Sequence, residues 1–302
     1  SMIEGTRTGI DEAVLPREEI DPEKRDDWEE VQNYISALNF AISELKTLPL
    51  SMRLIRETHK KLLSGVRGER KNPGEIRQSQ NWIGGSSLSD AFFIPPSQEE
   101  LPDLLTDIEK FWHNKSLHLP LVIKMGIIHY QFETIHPFLD GNGRVGRLLI
   151  ALQLVESKIL TAPTLYLSAF FEKNRSSYYD SLSMVRQNND LEQWIKFFLN
   201  GIIDTASDSI NTFKNIIDLR LRYEQKILSL GVRAKNAQKL INYMFSRPIV
   251  SSKSVQKNVK IGLNTSNRLL KSLIDLQILE EVTGYSRNRL YVLRDYLNLF
   301  QK

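Results

Sequence analysis

The chain has 302 residues, enough for two domains with cores of their own, and its 41% hydrophobic and 25% charged content is that of an ordinary globular protein. It contains no cysteine, which excludes disulfides and thiolate metal sites, and its five histidines (59, 113, 118, 129 and 136) form no His-Glu-x-x-His or similar pattern, so a zinc enzyme is not expected. No apolar stretch approaches the roughly twenty residues of a membrane span and the start is unlike a signal peptide, so a cytoplasmic protein without a membrane partner is expected.

The charge is unevenly placed. From Gln225 to Lys302 there are 14 Lys and Arg against 4 Asp and Glu, a net of +10, which leaves −6 on residues 1–224 of a chain whose total is +4. An acidic body with a basic tail predicts a separate partner for the tail.

The first residues, Ser1-Met-Ile-Glu-Gly-Thr6, open abruptly on the end of a motif, as a truncated or tagged sequence would. Asp21 to Leu48 begins with Asp-Pro and continues with apolar residues at helical spacing, and Ser51 to Leu63 repeats that pattern, so both read as amphipathic helices of a core. Residues 65–96 are different in kind. They are rich in turn residues, and Arg77-Gln-Ser-Gln-Asn-Trp-Ile-Gly-Gly85 precedes the short apolar run Phe92-Phe-Ile-Pro-Pro96. This predicts a β-hairpin or flap over 77–96 with a polar tip at 84–91. Gln98–His113 and Leu119–Phe132 read as helices, the second strongly apolar and hence buried.

The stretch His136-Pro-Phe-Leu-Asp-Gly-Asn-Gly-Arg-Val-Gly-Arg147 follows. Pro137 disfavours the helical conformation at His136, so the preceding helix should stop there. Gly141 and Gly143 permit a tight path, and Arg144 to Glu156 reads as a new helix. The result is a polar loop feeding a helix N-terminus, where free amides and the helix dipole favour an anion. Arg144 and Arg147 lie three residues apart on one face of the first turn. Asp140 is a hard oxygen ligand suited to Mg²⁺, and His136 titrates near neutral pH. A base, a metal ligand, an amide cradle and two guanidiniums within twelve residues point to phosphoryl chemistry.

These residues resemble the signature of the Fic family, His-x-Phe-x-(Asp/Glu)-Gly-Asn-Gly-(Arg/Lys)-x-x-Arg, at every fixed position: His136, Phe138, Asp140, Gly141, Asn142, Gly143, Arg144 and Arg147. The resemblance implies an enzyme that moves AMP from ATP to a Tyr, Thr or Ser hydroxyl of a target protein or of itself. By the same resemblance, His136 would deprotonate the hydroxyl, Asp140 would hold Mg²⁺ and Phe138 would anchor the loop. The ATP site would comprise Glu4, His136, Gly141, Asn142, Gly143, Arg144, Val145, Gly146, Arg147 and Tyr178, with Arg147 on the γ-phosphate. Tyr178 would lie against adenine, although spacing does not separate it from Tyr179. The flap resembles one that covers the active site and pairs with the target backbone, which assigns docking to Gly84, Gly85, Ser86, Ser87 and Leu88. Glu4 and Gly5 are similar to the end of the family's inhibitory helix, whose first Ser or Thr would fall before residue 1. Glu4 would then pair with Arg147 in the place of the γ-phosphate and hold ATP unproductively.

The tail reads as a winged helix-turn-helix: helices over Ala234–Phe245, Ser251–Val259 and Thr265–Leu276, then Ile278–Gly284 and Arg289–Leu293 around a wing. Lys253, Lys257, Lys260, Arg268, Lys271, Arg287 and Arg289 would form its basic surface, which either binds DNA or docks protein. The expected architecture is therefore mostly α. It has an inhibitory-helix end and linker over 1–20, a Fic helical core with a small β-hairpin flap over 21–224, and a winged helix over 225–302. The implied partners are ATP and a target protein, with DNA and a second copy of the chain as further candidates. Two rivals stand beside adenylyl transfer: a DNA-binding regulator with a nucleotide-sensing body, and a Fic enzyme of other chemistry, such as AMP removal or phosphate or phosphocholine transfer.

Overall fold

The computed structural model describes residues 8–65 and 71–301. In chain order the helices are α1 (Ile10–Ala13), α2 (Arg25–Glu44), α3 (Met52–Leu62), α4 (Leu101–His113), α5 (Leu121–Ile135), α6 (Asn142–Glu156), α7 (Ser168–Lys173), α8 (Arg175–Asn188) and α9 (Leu191–Leu228). After them come α10 (Ala234–Met244), β1 (Ile249–Ser251), α11 (Ser252–Val259), α12 (Leu263–Asp275), β2 (Glu280–Glu281), β3 (Leu290–Val292) and α13 (Arg294–Asn298). The chain divides into two units, one of residues 22–207 and one of residues 8–21 together with 208 onward. The division falls at 207/208, inside α9, which runs unbroken through that point and through the expected boundary at 224/225. Residues 8–21, expected as a linker, belong with the C-terminal unit. Asp11 pairs with Arg294 at 3.1 Å and accepts a hydrogen bond from Gln301 Nε2 at 3.0 Å, partners nearly a chain length away.

The first unit is built around α5 and α6. In α6, Asn142 and every residue from Arg144 to Leu154 are buried, and α5 buries Met125, Ile128, His129, Phe132, Glu133 and Ile135. Helices this apolar on several faces need partners all round. Leu148, Leu149 and Leu152 face a core completed by α2, α3 and α4, while Ile150 and Leu154 face a second core with Met125, Phe171, Trp194 and Phe198. Ser51 starts α3 by accepting the Leu54 amide, and Pro102 sits in the first turn of α4, where its missing N–H costs nothing.

The flap pairs less than its sequence suggests. A single bridge joins Ile83 to Phe93, with Ile83 N–H donating to the Phe93 carbonyl at 2.8 Å and Phe92 N–H to the Ile83 carbonyl at 2.9 Å. Its tip is closed by a side chain. The Asp90 carboxylate accepts the amides and hydroxyls of both Ser86 and Ser87, which holds its pKa below the ordinary carboxylate range. Gly85, at φ +71°, passes so close to Asp90 that a Cβ there would collide with its carbonyl.

In the C-terminal unit the three strands form an antiparallel sheet in the order β1-β3-β2, with Ser251 opposite Leu290 and Glu281 opposite Tyr291. The three expected helices appear within two residues of their predicted limits, whereas β1 carries too short an apolar run to be read in advance. Leu240, Ile241, Met244, Leu269, Leu270 and Leu273 close the core against this sheet and against Tyr223 and Ile227 of α9. Ser251 ends β1 and starts α11 in one residue, its side chain accepting the Ser254 amide while Ser254 Oγ accepts the Ser251 amide. Ser251→Ala should destabilise the protein by about 1 kcal/mol in denaturant titrations, and an unchanged midpoint would show that the cap adds nothing.

Candidate active site

The loop 136–141 joins the two most buried helices, and its shape follows from three local constraints. His136 terminates α5 in the left-handed region, at φ 50° and ψ 60°, where a non-glycine residue is uncommon and often functional. Asn142 then closes the loop on itself. Its Oδ1 accepts the Phe138 amide and its Nδ2 donates to the Phe138 carbonyl, both at 2.8 Å. Gly141, at φ +75°, makes the final turn into α6. The amides of Asn142, Gly143 and Arg144 open that helix and have no carbonyl within it to meet, and the Val145 amide makes the first helical bond, to Gly141.

Not every residue of the expected nucleotide site presents its side chain there. Val145 is wholly buried in the core, and Gly146 lies so close to Glu133 that a Cβ would strike its carboxylate. The Asn142 side chain is committed to Phe138. Arg144 and Arg147 are buried at the start of α6, and Arg144 lies 3.7 Å from Asp140 and 4.0 Å from Glu30 of α2.

Tyr178, expected against a nucleotide base, is 2% exposed and packs on Phe171 at 4.5 Å between ring centres. Its hydroxyl is tied to His129 Nε2 at 3.0 Å, while His129 Nδ1 lies 3.1 Å from the Gly146 carbonyl. A carbonyl only accepts, so Nδ1 carries the proton and the Tyr178 hydroxyl donates to Nε2. A ring so placed offers a base no open face, whereas Tyr179 is half-buried. Glu4 and Gly5 lie outside the described residues.

His136 sits among cations. Its Nδ1 donates to the Glu133 carbonyl at 3.3 Å, which leaves the Nε2 lone pair available. Burial lowers its pKa to about 4, and the nearby Arg77 and Arg186 guanidiniums add to the effect, so the ring is neutral at pH 7 and able to take a proton. Arg186 stacks over Phe93 of the flap at 3.6 Å.

Two further residues hold the loop and the flap together. Arg77 is buried and donates to the carbonyls of His136 (3.0 Å), Ser79 (3.1 Å) and Pro96, while its own amide donates to Pro137 (2.9 Å). It caps the C-terminus of α5 and closes both legs of the flap at once. His59 of α3 stacks on Phe138 at 3.8 Å, accepts the Gly74 amide at Nδ1 (2.8 Å) and donates from Nε2 to the Asp140 carbonyl (2.9 Å). The sequence carried no sign of these roles, since the partners of His59 lie 15 and 81 residues away.

The flap residues Gly84, Gly85, Ser86 and Leu88 are exposed at the tip and Ser87 is half-buried. Asp140 is half-exposed at the loop mouth, with Oδ1 accepting the Gly141 amide at 2.6 Å. Among the described residues no group of three or more potential ligands gathers to cage a metal. One half-exposed carboxylate beside the amides that begin α6 nevertheless fits Mg²⁺, which is commonly held by one or two carboxylates together with substrate phosphates and water.

This is a helical fold whose central loop and helix start form an anion cradle with a neutral imidazole at its edge. Residues 49–154 match the family model described as Fic/DOC family, and residues 1–43 match its Fic/DOC family N-terminal model, so the chain carries a Fic domain with its N-terminal companion. Among similar proteins, "Protein adenylyltransferase Fic" of Aedes aegypti is 28% identical over 182 residues, 59% of this chain and 33% of the relative. "Probable protein adenylyltransferase aq_aa38" of Aquifex aeolicus is 30% identical over 164 residues, 52% of this chain and 47% of the relative. The chain thus spans between a third and a half of the length of these relatives. A Fic family protein from Desulfovibrio desulfuricans G20 shares the fold over 97% of this chain and 83% of its own, at TM-score 0.59 and 20% identity. Fic-1 of Caenorhabditis elegans does so over 70% of this chain and 61% of its own, at TM-score 0.55 and 25% identity.

The buried histidines make the fold acid-sensitive. Burial lowers His59 to about 4 and His129 to about 3, so both are neutral when folded, while the unfolded chain takes up these protons below about 6.5. Their contribution is therefore complete above pH 6.5 and is lost as the pH falls towards 4, by about 1.4 kcal/mol per pH unit for each ring. Denaturation midpoints should drop over that window. In His59→Gln the slope should be shallower, and a slope equal to the wild type's would show that His59 is not held neutral.

Proposed function

We propose that the chain is a protein adenylyltransferase that transfers AMP from ATP to a Tyr, Thr or Ser hydroxyl of a target protein or of itself. The observation that carries this reading is the neutral His136, whose Nδ1 donates to the Glu133 carbonyl and so leaves the Nε2 lone pair to accept a proton, in the loop that leads into the amides beginning α6. The target hydroxyl loses its proton to Nε2 as its oxygen forms a bond to the α-phosphorus. The bond from that phosphorus to the bridging oxygen of the β-phosphate breaks, and pyrophosphate leaves with the electron pair. Such a reaction asks the protein chiefly for positioning and charge neutralisation. The first-turn amides and Arg144 meet the α- and β-phosphates, and Arg147 the γ-phosphate. Asp140 would hold Mg²⁺, which neutralises phosphate charge when bound. Tyr179, half-buried where Tyr178 is not, is the ring available to the base. The names of the Aedes and Aquifex relatives support the same chemistry.

Glu4 is assigned as the inhibitory carboxylate. In a shielded pocket it would pair with Arg147 and leave ATP in an unproductive pose. Incubating wild type, Glu4→Gly and His136→Ala with α-³²P-ATP or γ-³²P-ATP, Mg²⁺ and a cell lysate separates the readings. Label should come from the α position only, rise in Glu4→Gly and vanish in His136→Ala, while ATP binding by the last variant is retained. Label from the γ position would indicate phosphate transfer, and no label from either would leave the body as a nucleotide sensor.

The C-terminal unit supports a second reading, as a winged helix that binds duplex DNA. Lys253, Lys257, Lys260, Arg268, Lys271, Arg287 and Arg289 are all exposed on α11, α12 and the β2–β3 connection. A duplex bound by these cations should show an affinity that falls steeply with salt, and replacing Arg268 and Lys271 by Ala should reduce that slope by about two. Affinity insensitive to both would assign this surface to protein docking.

A further inference from the structure

Helix α9 carries an exposed apolar surface that the nucleotide site does not use. Ile210, Phe213, Ile217 and Leu221 are 54%, 47%, 58% and 52% exposed. Their spacing of three, four and four residues places them on one stripe of the helix. The opposite side of the same stretch already does the packing of the C-terminal unit, through Leu219, Tyr223 and Ile227. The stripe is therefore not required by the unit's own core, and a contiguous apolar row of this kind marks an interaction surface.

The order of residues along the stripe identifies the partner. Ile210 and Leu221 form an outer pair and Phe213 and Ile217 an inner pair, and both pairs share a midpoint near residue 215. Lys214 and Asp218, exposed along one edge of the row with opposite charges, are centred on residue 216, within one residue of that midpoint. A two-fold axis through it, perpendicular to the helix, sets Ile210 against Leu221, Phe213 against Ile217 and Lys214 against Asp218 of an antiparallel copy, each contact made twice. Such self-complementarity is what an isologous interface demands, and an unrelated partner would impose no palindrome. We propose that two copies of the chain pair antiparallel through this face of α9. The pairing does not depend on the adenylyl-transfer reading.

Sedimentation of the full chain tests it. The wild type should run at twice the 34.9 kDa of one chain, and Ile217→Glu at the single mass. Lys214→Glu alone should weaken the dimer by roughly tenfold, since it sets two carboxylates together at each end of the pair. Adding Asp218→Lys should restore it, and these surface exchanges keep the test valid if Ile217→Glu unfolds. Because the chain has no cysteine, orientation is read by cross-linking. Mixed Ile210→Cys and Leu221→Cys chains should form the hetero-disulfide, because like positions lie about 16 Å apart along antiparallel helices. A wild type of single mass at all concentrations, a dimer indifferent to these substitutions, or disulfides only between like chains would each overturn the proposal.

Discussion

The reciprocal hydrogen bonds between the Asn142 side chain and the Phe138 backbone are the constraint on which the site depends. They fold the loop back on itself, and without them the amides at the start of α6 would have no fixed direction. The Asn81 side chain adds a third bond, to the same Phe138 carbonyl at 3.1 Å, so the base of the flap is referenced to the same atom. Phe138 is wholly buried, stacked between His59 and the core, and carries that reference into the packing of α3 and α5. Position is thus transmitted from a close-packed interior to a polar loop through one aromatic ring and one amide.

Arg77 and His59 extend this frame in two directions. A guanidinium carries its donors in a fixed plane, and Arg77 makes four hydrogen bonds from it to carbonyls at a helix end and at both legs of the flap. His59 is neutral and therefore both donor and acceptor, which lets it bridge an amide and a carbonyl that no lysine or carboxylate could join. Both residues lie away from the loop mouth, and both determine where His136 and Asp140 stand.

Helices were legible where the apolar period was strong. The run from Leu121 to Phe132 and the one from Arg144 to Glu156 appear as α5 and α6, and the end of α5 falls where Pro137 requires. The turn residues of 84–91 announced a tip, but the strands beside it shrink to one bridge, because Asp90 and Arg77 hold the segment by side chains that a periodicity rule does not count. The roles of Arg77, His59 and His129 were invisible for the same reason, as were the docking of residues 8–21 on the C-terminal unit and the burial of Tyr178. Two adjacent tyrosines on a helix point about 100° apart, and only the packed structure says which one faces inward. The motif pointed to candidate chemical groups, and the contacts that hold them are distant in sequence.

The Asn142 ring also bears on how the protein ages. Asn-Gly is the dipeptide most prone to deamidation, which requires the glycine nitrogen to swing onto the asparagine side-chain carbonyl. Here that side chain is held against Phe138, and the Gly143 nitrogen is fixed in the first turn of a helix, pointing elsewhere. The folded chain thus shields this bond, one of its two Asn-Gly steps, and damage at Asn142 is confined to molecules that have already opened. An aspartate formed there could no longer donate to the Phe138 carbonyl, so a chain that refolded after the lesion would carry a loop with one side of its brace missing.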